Sequence, residues 1–196
     1  MECSHSNISN KVVVKEIFGM SFKEATSVCS DCGAYLRDAE YEKRYMIWLE
    51  TIYKQRRDKF QAQCHFPRNM IECAEAFLQD HPGISTTVFF RALVTIYFNV
   101  VDRDEKISTQ LESILDTEIY ESYLTDKDRK KVTIQFKPKM MIELMAVAEF
   151  LDSSISSIVE EVIIKFMTMI TSQDERLKKF WESKISSYLE MFLKAA

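Results

Sequence analysis

The sequence predicts a mainly α-helical protein with short β-strands, in which a cysteine-bearing N-terminal ribbon precedes one strand-helix-helix unit that occurs twice. Three observations predict it. Only 3 Gly and 3 Pro occur among 196 residues, which leaves little material for loops and hairpins, so helices should dominate. Four soft metal ligands stand in two pairs, Cys3 with His5 and Cys29 with Cys32. Two alternating segments, Gln61-Ala-Gln-Cys-His-Phe-Pro and Val132-Thr-Ile-Gln-Phe-Lys-Pro, each stop at a proline and lead into two helical stretches.

With 46% hydrophobic residues, a chain of this length buries one medium core or two small ones. A formal net charge of -4 argues against indiscriminate electrostatic binding of nucleic acid but leaves room for a local basic face. No glycine-rich phosphate loop is present. The longest apolar runs, Val88–Val101 and Ile155–Ile170, are interrupted by polar or charged residues, so no membrane span is expected. Met1 leads directly into Glu2-Cys-Ser-His, without the basic and apolar regions of a secretory signal. A cytoplasmic location is therefore expected, where the five cysteines stay reduced and closely spaced ones suit metal better than disulfides.

Two pairs of soft ligands match a tetrahedral structural zinc site of Cys3, His5, Cys29 and Cys32. Between the pairs, Lys11–Ile17 and Ser21–Val28 read as strands around a turn at Gly19, which brings the pairs together. Gly33 follows Cys32 at once and suits the positive φ needed where a chain turns beneath a metal-bound thiolate. Four protein ligands leave no open position, so the zinc is structural rather than catalytic. Residues 1–39 are thus expected to form a zinc ribbon. Cys64 and Cys73 fall on apolar phases of their elements and read as small hydrophobes.

Tyr41, Tyr45, Trp48, Leu49 and Ile52 recur at three- and four-residue spacing, predicting an amphipathic linker helix over 40–58. It ends in a basic cluster with Arg56, Arg57 and Lys59, just before the first alternating strand. Lys127, Arg129, Lys130 and Lys131 repeat the arrangement before the second. Two such clusters on an acidic chain point to phosphate contacts beside a reading element.

In the first unit, 59–100, Ala62, Cys64 and Phe66 face one way and Gln61, Gln63 and His65 the other. Pro67 opens a helix at its first position, Asp80-His-Pro-Gly breaks it, and Ser85-Thr-Thr caps the next. In the second unit, 131–171, Val132, Ile134 and Phe136 face inward and Lys131, Thr133 and Gln135 outward. Pro138 opens its first helix, Asp152-Ser-Ser breaks it, and Ser154 or Ser156 caps a helix reaching Ile170. A linker helix over 101–130 is marked by Ile107, Leu111, Ile114 and Tyr120. The tail, 172–196, places Leu177, Phe180, Trp181, Ile185, Tyr188, Leu189 and Phe192 on one stripe, for core packing or for a homodimer or partner-protein surface.

Gln61, Gln63, His65 and Phe66-Pro67-Arg68, together with Val132-Thr-Ile-Gln-Phe-Lys-Pro-Lys and Ile155-Ser-Ser-Ile-Val-Glu-Glu, resemble the ribbon-helix-helix superfamily of the Arc and methionine repressors. The resemblance covers Lys59–Val100 and Lys131–Ile170. It implies that paired antiparallel strands enter the major groove of double-stranded DNA, with outward strand residues reading bases and the second helix's N-terminus holding a phosphate. On this chain that assigns base reading to Gln61, Gln63, His65, Lys131, Thr133 and Gln135. Phosphate contacts fall to Arg56, Arg57, Lys59, Ser85, Thr86, Arg129, Lys130, Ser156 and Ser157. Two units in one chain can pair with each other as an intramolecular pseudo-dimer with unlike strands, suited to an asymmetric DNA site. The function implied is a sequence-specific transcriptional regulator, a repressor or antitoxin-like protein. The alternative is a protein-protein interaction module of phage or plasmid origin that keeps the scaffold without DNA binding. No catalytic role is expected, because His65 and His81 have no evident nucleophile partner and Ser and Thr cluster at helix caps.

Overall fold

The computed structural model describes residues 3–36, 39–100, 109 and 117–194. The chain divides into two compact units, Met1–Phe60 and Gln61–Ala196. Among the described residues the protein is mainly helical, with two small antiparallel sheets, and no helix is long and apolar enough to cross a membrane.

In the first unit β1 (Ile8–Ile17) and β2 (Met20–Cys29) form a hairpin registered from Ile17↔Met20 to Ile8↔Cys29. Its turn needs positive φ at both central residues, the condition that matches a hairpin's right-handed twist. Gly19 adopts φ 77 without penalty, whereas Phe18 at φ 50 is held by its ring, edge-on to Phe60 at 5.2 Å. The short β3 (Tyr35–Leu36) adds antiparallel to β2. Helix α1 (Ala39–Gln55) follows, with Tyr41, Tyr45, Leu49 and Ile52 buried. Phe22 of β2 meets Tyr41 and Tyr45 edge-on at 5.6 and 5.3 Å. The helix expected as a linker over 40–58 is therefore part of the first unit: its aromatic stripe needs an apolar cover, and the sheet offers one.

In the second unit β4 (Gln61–Pro67) leads to α2 (Arg68–Leu78) and α3 (Thr86–Val100). Helix α4 (Glu118–Thr125) precedes β5 (Arg129–Gln135), which leads to α5 (Pro138–Phe150), α6 (Ile155–Ile170) and α7 (Glu175–Lys194). Of the linker helix expected over 101–130, Ile107, Leu111 and Ile114 lie outside the described residues, and Tyr120 is buried on α4. Strands β4 and β5 pair antiparallel with each other. Ala62, Cys64, Phe66, Ile134 and Phe136 are all at most 2% exposed, so one face of this ribbon is core. The packing is crossed: β4 lies on α6, β5 lies on α3, and α3 and α6 pack together. Each strand is thus covered by the second helix of the other repeat, and neither repeat buries its apolar face alone.

The tail helix α7 packs on α3 and α6, with Trp181, Ile185 and Leu189 at most 1% exposed and the Trp181 ring edge-on to Phe166 at 5.3 Å. The centre of its stripe is spent on the unit's own core. Phe180 stays 44% exposed, and the side chain of Phe192 lies outside the described residues.

The two repeats differ at their joints. Pro138 is the first residue of α5, as its fixed φ suits, but Pro67 ends β4 and stands one residue ahead of α2 as its cap. With Phe66 directly before Pro67, pairing runs on to Pro67↔Arg129, and the Arg68 N–H bonds to the Asp128 carbonyl at 2.9 Å. Between α2 and α3 the left-handed position is taken by Gly83 at φ 91; between α5 and α6 Asp152 adopts φ 48. Aspartate tolerates that region better than most residues, which is why the second repeat manages without a glycine.

Candidate functional site

Two sites assemble, one in each unit. In the first, the ladder places Cys29 opposite Ile8 at the open end of the hairpin, which draws in the N-terminal segment. The Ser30 N–H bonds to the Asn7 carbonyl at 2.8 Å, and the Asn7 amide donates to Asp31 at 3.0 Å. Gly33, at φ 74, turns its N–H back to the Cys29 carbonyl at 2.9 Å. The outcome is that one ligand atom from each of Cys3, His5, Cys29 and Cys32 lies within 4.8 Å of the others, close enough to hold a metal ion. Cys3 Sγ is 3.6 Å from Cys29 Sγ, and Cys32 Sγ is 3.4 Å from His5 Nδ1. The Cys32 backbone N–H, then the His5 side chain and the Asp31 N–H, lower the Cys29 thiol to about 6. Against the lowering pull of the His5 N–H, the thiols of Cys29 and Cys32 push the Cys3 thiol up. Three thiols and an imidazole so placed hold one proton-free sulfur at neutral pH, and a soft divalent cation would stabilise the others as thiolates.

In the second unit the ribbon's outer face carries three cross-strand rungs, Gln61↔Gln135, Gln63↔Thr133 and His65↔Lys131. All six assigned base readers therefore share one face. Gln63, His65, Lys131 and Thr133 are exposed; Gln61 and Gln135, at the end where β5 runs into α5, are half-buried. Beneath them Cys64 is fully buried, and burial followed by the nearby Glu160 charge pushes its thiol up to about 12. It is an inert packing residue.

The residues assigned to phosphate fare differently. Lys130 is exposed at the ribbon's end, although its pairing with Phe66 gives it the register of the buried face. Arg56, Arg57 and Lys59 are exposed at the end of the first unit, immediately before β4 in sequence. Ser85 caps α3 by accepting from the Val88 N–H at 3.3 Å, and Thr86 is that helix's first residue. Ser154, not Ser156, caps α6, accepting from the Ser157 N–H at 3.0 Å, so Ser156 and Ser157 lie in the first turn. Arg129 is engaged within the unit. Its guanidinium donates to the carbonyls of Tyr123 at 2.7 Å, His65 at 3.0 Å and Leu124 at 3.3 Å, while its Nε reaches the Asp126 carbonyl at 3.1 Å. An arginine so occupied ties β5 to α4 and β4 and has few donors left for a phosphate.

Sequence reasoning missed Glu160. Its carboxylate accepts from the His65 backbone N–H at 2.6 Å and lies 3.8 Å from Arg129. It thereby satisfies one backbone donor on the outer edge of β4. The only signal was a carboxylate interrupting the apolar run of Ile155–Ile170. Replacing Glu160 by Ala is expected to cost about 1–2 kcal/mol in urea denaturation, because an N–H and an arginine lose their acceptor at a site that water partly reaches. An unchanged midpoint would mean that water substitutes fully.

No family model matches the chain, and neither the curated proteins nor the solved structures contain a match to it.

Proposed function

We propose that the protein is a sequence-specific double-stranded DNA-binding protein, a transcriptional regulator of the repressor or antitoxin-like kind, whose β4–β5 ribbon reads the major groove. The two repeats act as ribbon-helix-helix units joined in an intramolecular pseudo-dimer, and the N-terminal four-ligand cluster holds a structural zinc ion. The observation that carries the proposal is the set of three polar rungs on one face of a two-stranded ribbon whose other face is core. An antiparallel ribbon is one of the two elements the major groove admits. Glutamine amides offer adenine a bidentate partner, threonine a hydroxyl or a methyl contact to thymine, and lysine a donor to guanine. The crossed packing of strands and second helices also supports a pseudo-dimer, since each repeat completes the other. The N-termini of α3 and α6, with Ser85, Thr86, Ser156 and Ser157, are then available as phosphate anchors.

Because one strand offers Gln61, Gln63 and His65 and the other Lys131, Thr133 and Gln135, the preferred site is asymmetric. Duplex selection followed by binding at several salt concentrations tests this. Gln63→Ala and Thr133→Ala should relax preference at one region of the site, worth about 1–3 kcal/mol of discrimination. Lys130→Ala should instead weaken all duplexes alike and flatten the salt slope by about one unit. Absence of binding to any duplex at low salt would sink the proposal, and recovery of only palindromic sites would sink the pseudo-dimer.

A further inference from the structure

The repeats diverge at one position of their second helices, and the divergence opens a pocket. Ser85 caps α3 and Ser154 caps α6, which makes Arg91 and Glu160 equivalent. On the Glu160 side the carboxylate closes against the His65 N–H and Arg129. On the Arg91 side a pocket of about 210 Å³ lies between α3, the end of β5 and the start of α5. Among the described residues, Arg91, Lys137 and Lys139 line it together with one carboxylate, Glu143, which is 4.0 Å from Lys139. Cations thus outnumber carboxylates among the described lining residues, on a chain of formal net charge -4. The first turn of α5 adds to the same sign, since no side chain caps it and its free N–H groups carry partial positive charge. Phe136, 1% exposed, and Met140 supply an apolar wall. Cationic side chains beside an apolar surface select a ligand with a charged head and an apolar body.

We infer that this pocket binds a small organic anion, one carboxylate or phosphate head on an aromatic or aliphatic body. An apolar cavity of about 150 Å³ admits a benzene ring, so the space suits a single ring with its headgroup. DNA recognition is not required for it. Phe136 and Lys137 directly follow Gln135, so the occupant would rest against the end of the ribbon's first rung.

The test is calorimetric titration of the full chain with phenyl phosphate, inorganic phosphate and phenol in low-salt buffer. Phenyl phosphate should bind saturably, inorganic phosphate more weakly, and phenol not at all. Lys137→Gln removes an exposed charge and leaves the fold intact, and it should weaken phenyl phosphate about tenfold, the loss of one charge-assisted contact. Glu143→Gln should strengthen it. No saturation by phenyl phosphate at millimolar concentration, or equal affinity in the Lys137→Gln protein, would overturn the inference, as would phenol binding as tightly as phenyl phosphate.

Discussion

Chelation of the metal, or replacement of Cys29 by Ser, is expected to abolish cooperative unfolding of the first unit while leaving that of the second in place. The first unit ends at Phe60, a size at which a hydrophobic core alone is marginal. Its own core is an aromatic cluster of Phe22, Tyr41, Tyr45 and Trp48 at one side of the sheet. The segment from Cys3 to Asn7 is joined to the rest chiefly through the ligand cluster, the bond that Asn7 accepts from the Ser30 N–H and the one its amide donates to Asp31. Binding energies of structural zinc sites are about 10–16 kcal/mol at neutral pH, and where no site exists in the unfolded chain that energy is folding energy.

The pH dependence follows from Cys29. Folding lowers its thiol from 9.0 to about 6, so the stabilisation is full above 9.0, shrinks as pH falls, and is gone once pH drops through about 6. The two tryptophans report separately, Trp48 from the first unit and Trp181 from the second. Chelation should collapse the indole N–H resonance of Trp48 toward its unfolded position and leave that of Trp181 unmoved. A Trp48 resonance indifferent to chelator would show that the aromatic cluster suffices.

Truncating Phe66 to Ala is expected to cost the second unit about 3–5 kcal/mol, measured as a shift of the urea midpoint. Phe66 is fully buried, 4.9 Å from the Phe90 ring, on the face of β4 that rests on α6. Native domains hold about 5–15 kcal/mol in total, so this one change consumes a large share. Phe150 makes the control: at 86% exposure its replacement by Ala should leave the midpoint where it was. A loss below about 1 kcal/mol at Phe66 would mean that the ribbon rests on the core rather than forming part of it.

Much of this was readable from local pattern. Period-two alternation separated Ala62, Cys64 and Phe66 from Gln61, Gln63 and His65, because a strand must send neighbours to opposite faces. Ligand spacing marked the Cys/His cluster, since two residues separated by one or two others can turn onto one ion. Helix starts at Ser85 and Pro138 were legible for the same reason: a cap answers to backbone groups within one turn.

Strands, helices, their facing and the Cys/His pairs are thus each governed by neighbours along the chain. The tertiary structure decided the rest. The aromatic stripe of α1 went to the sheet of its own unit, and the centre of the α7 stripe to the core beside Phe166. Arg129 became a strut because Tyr123, Leu124 and His65 brought their carbonyls to it, and Glu160 became an edge cap because β4 passed beneath it. The rungs Gln61↔Gln135, Gln63↔Thr133 and His65↔Lys131 were set by pairing across about seventy residues. Burial and hydrogen bonding between distant segments have no periodic trace in the sequence, so one-dimensional pattern shows which face a residue takes but not what it meets there.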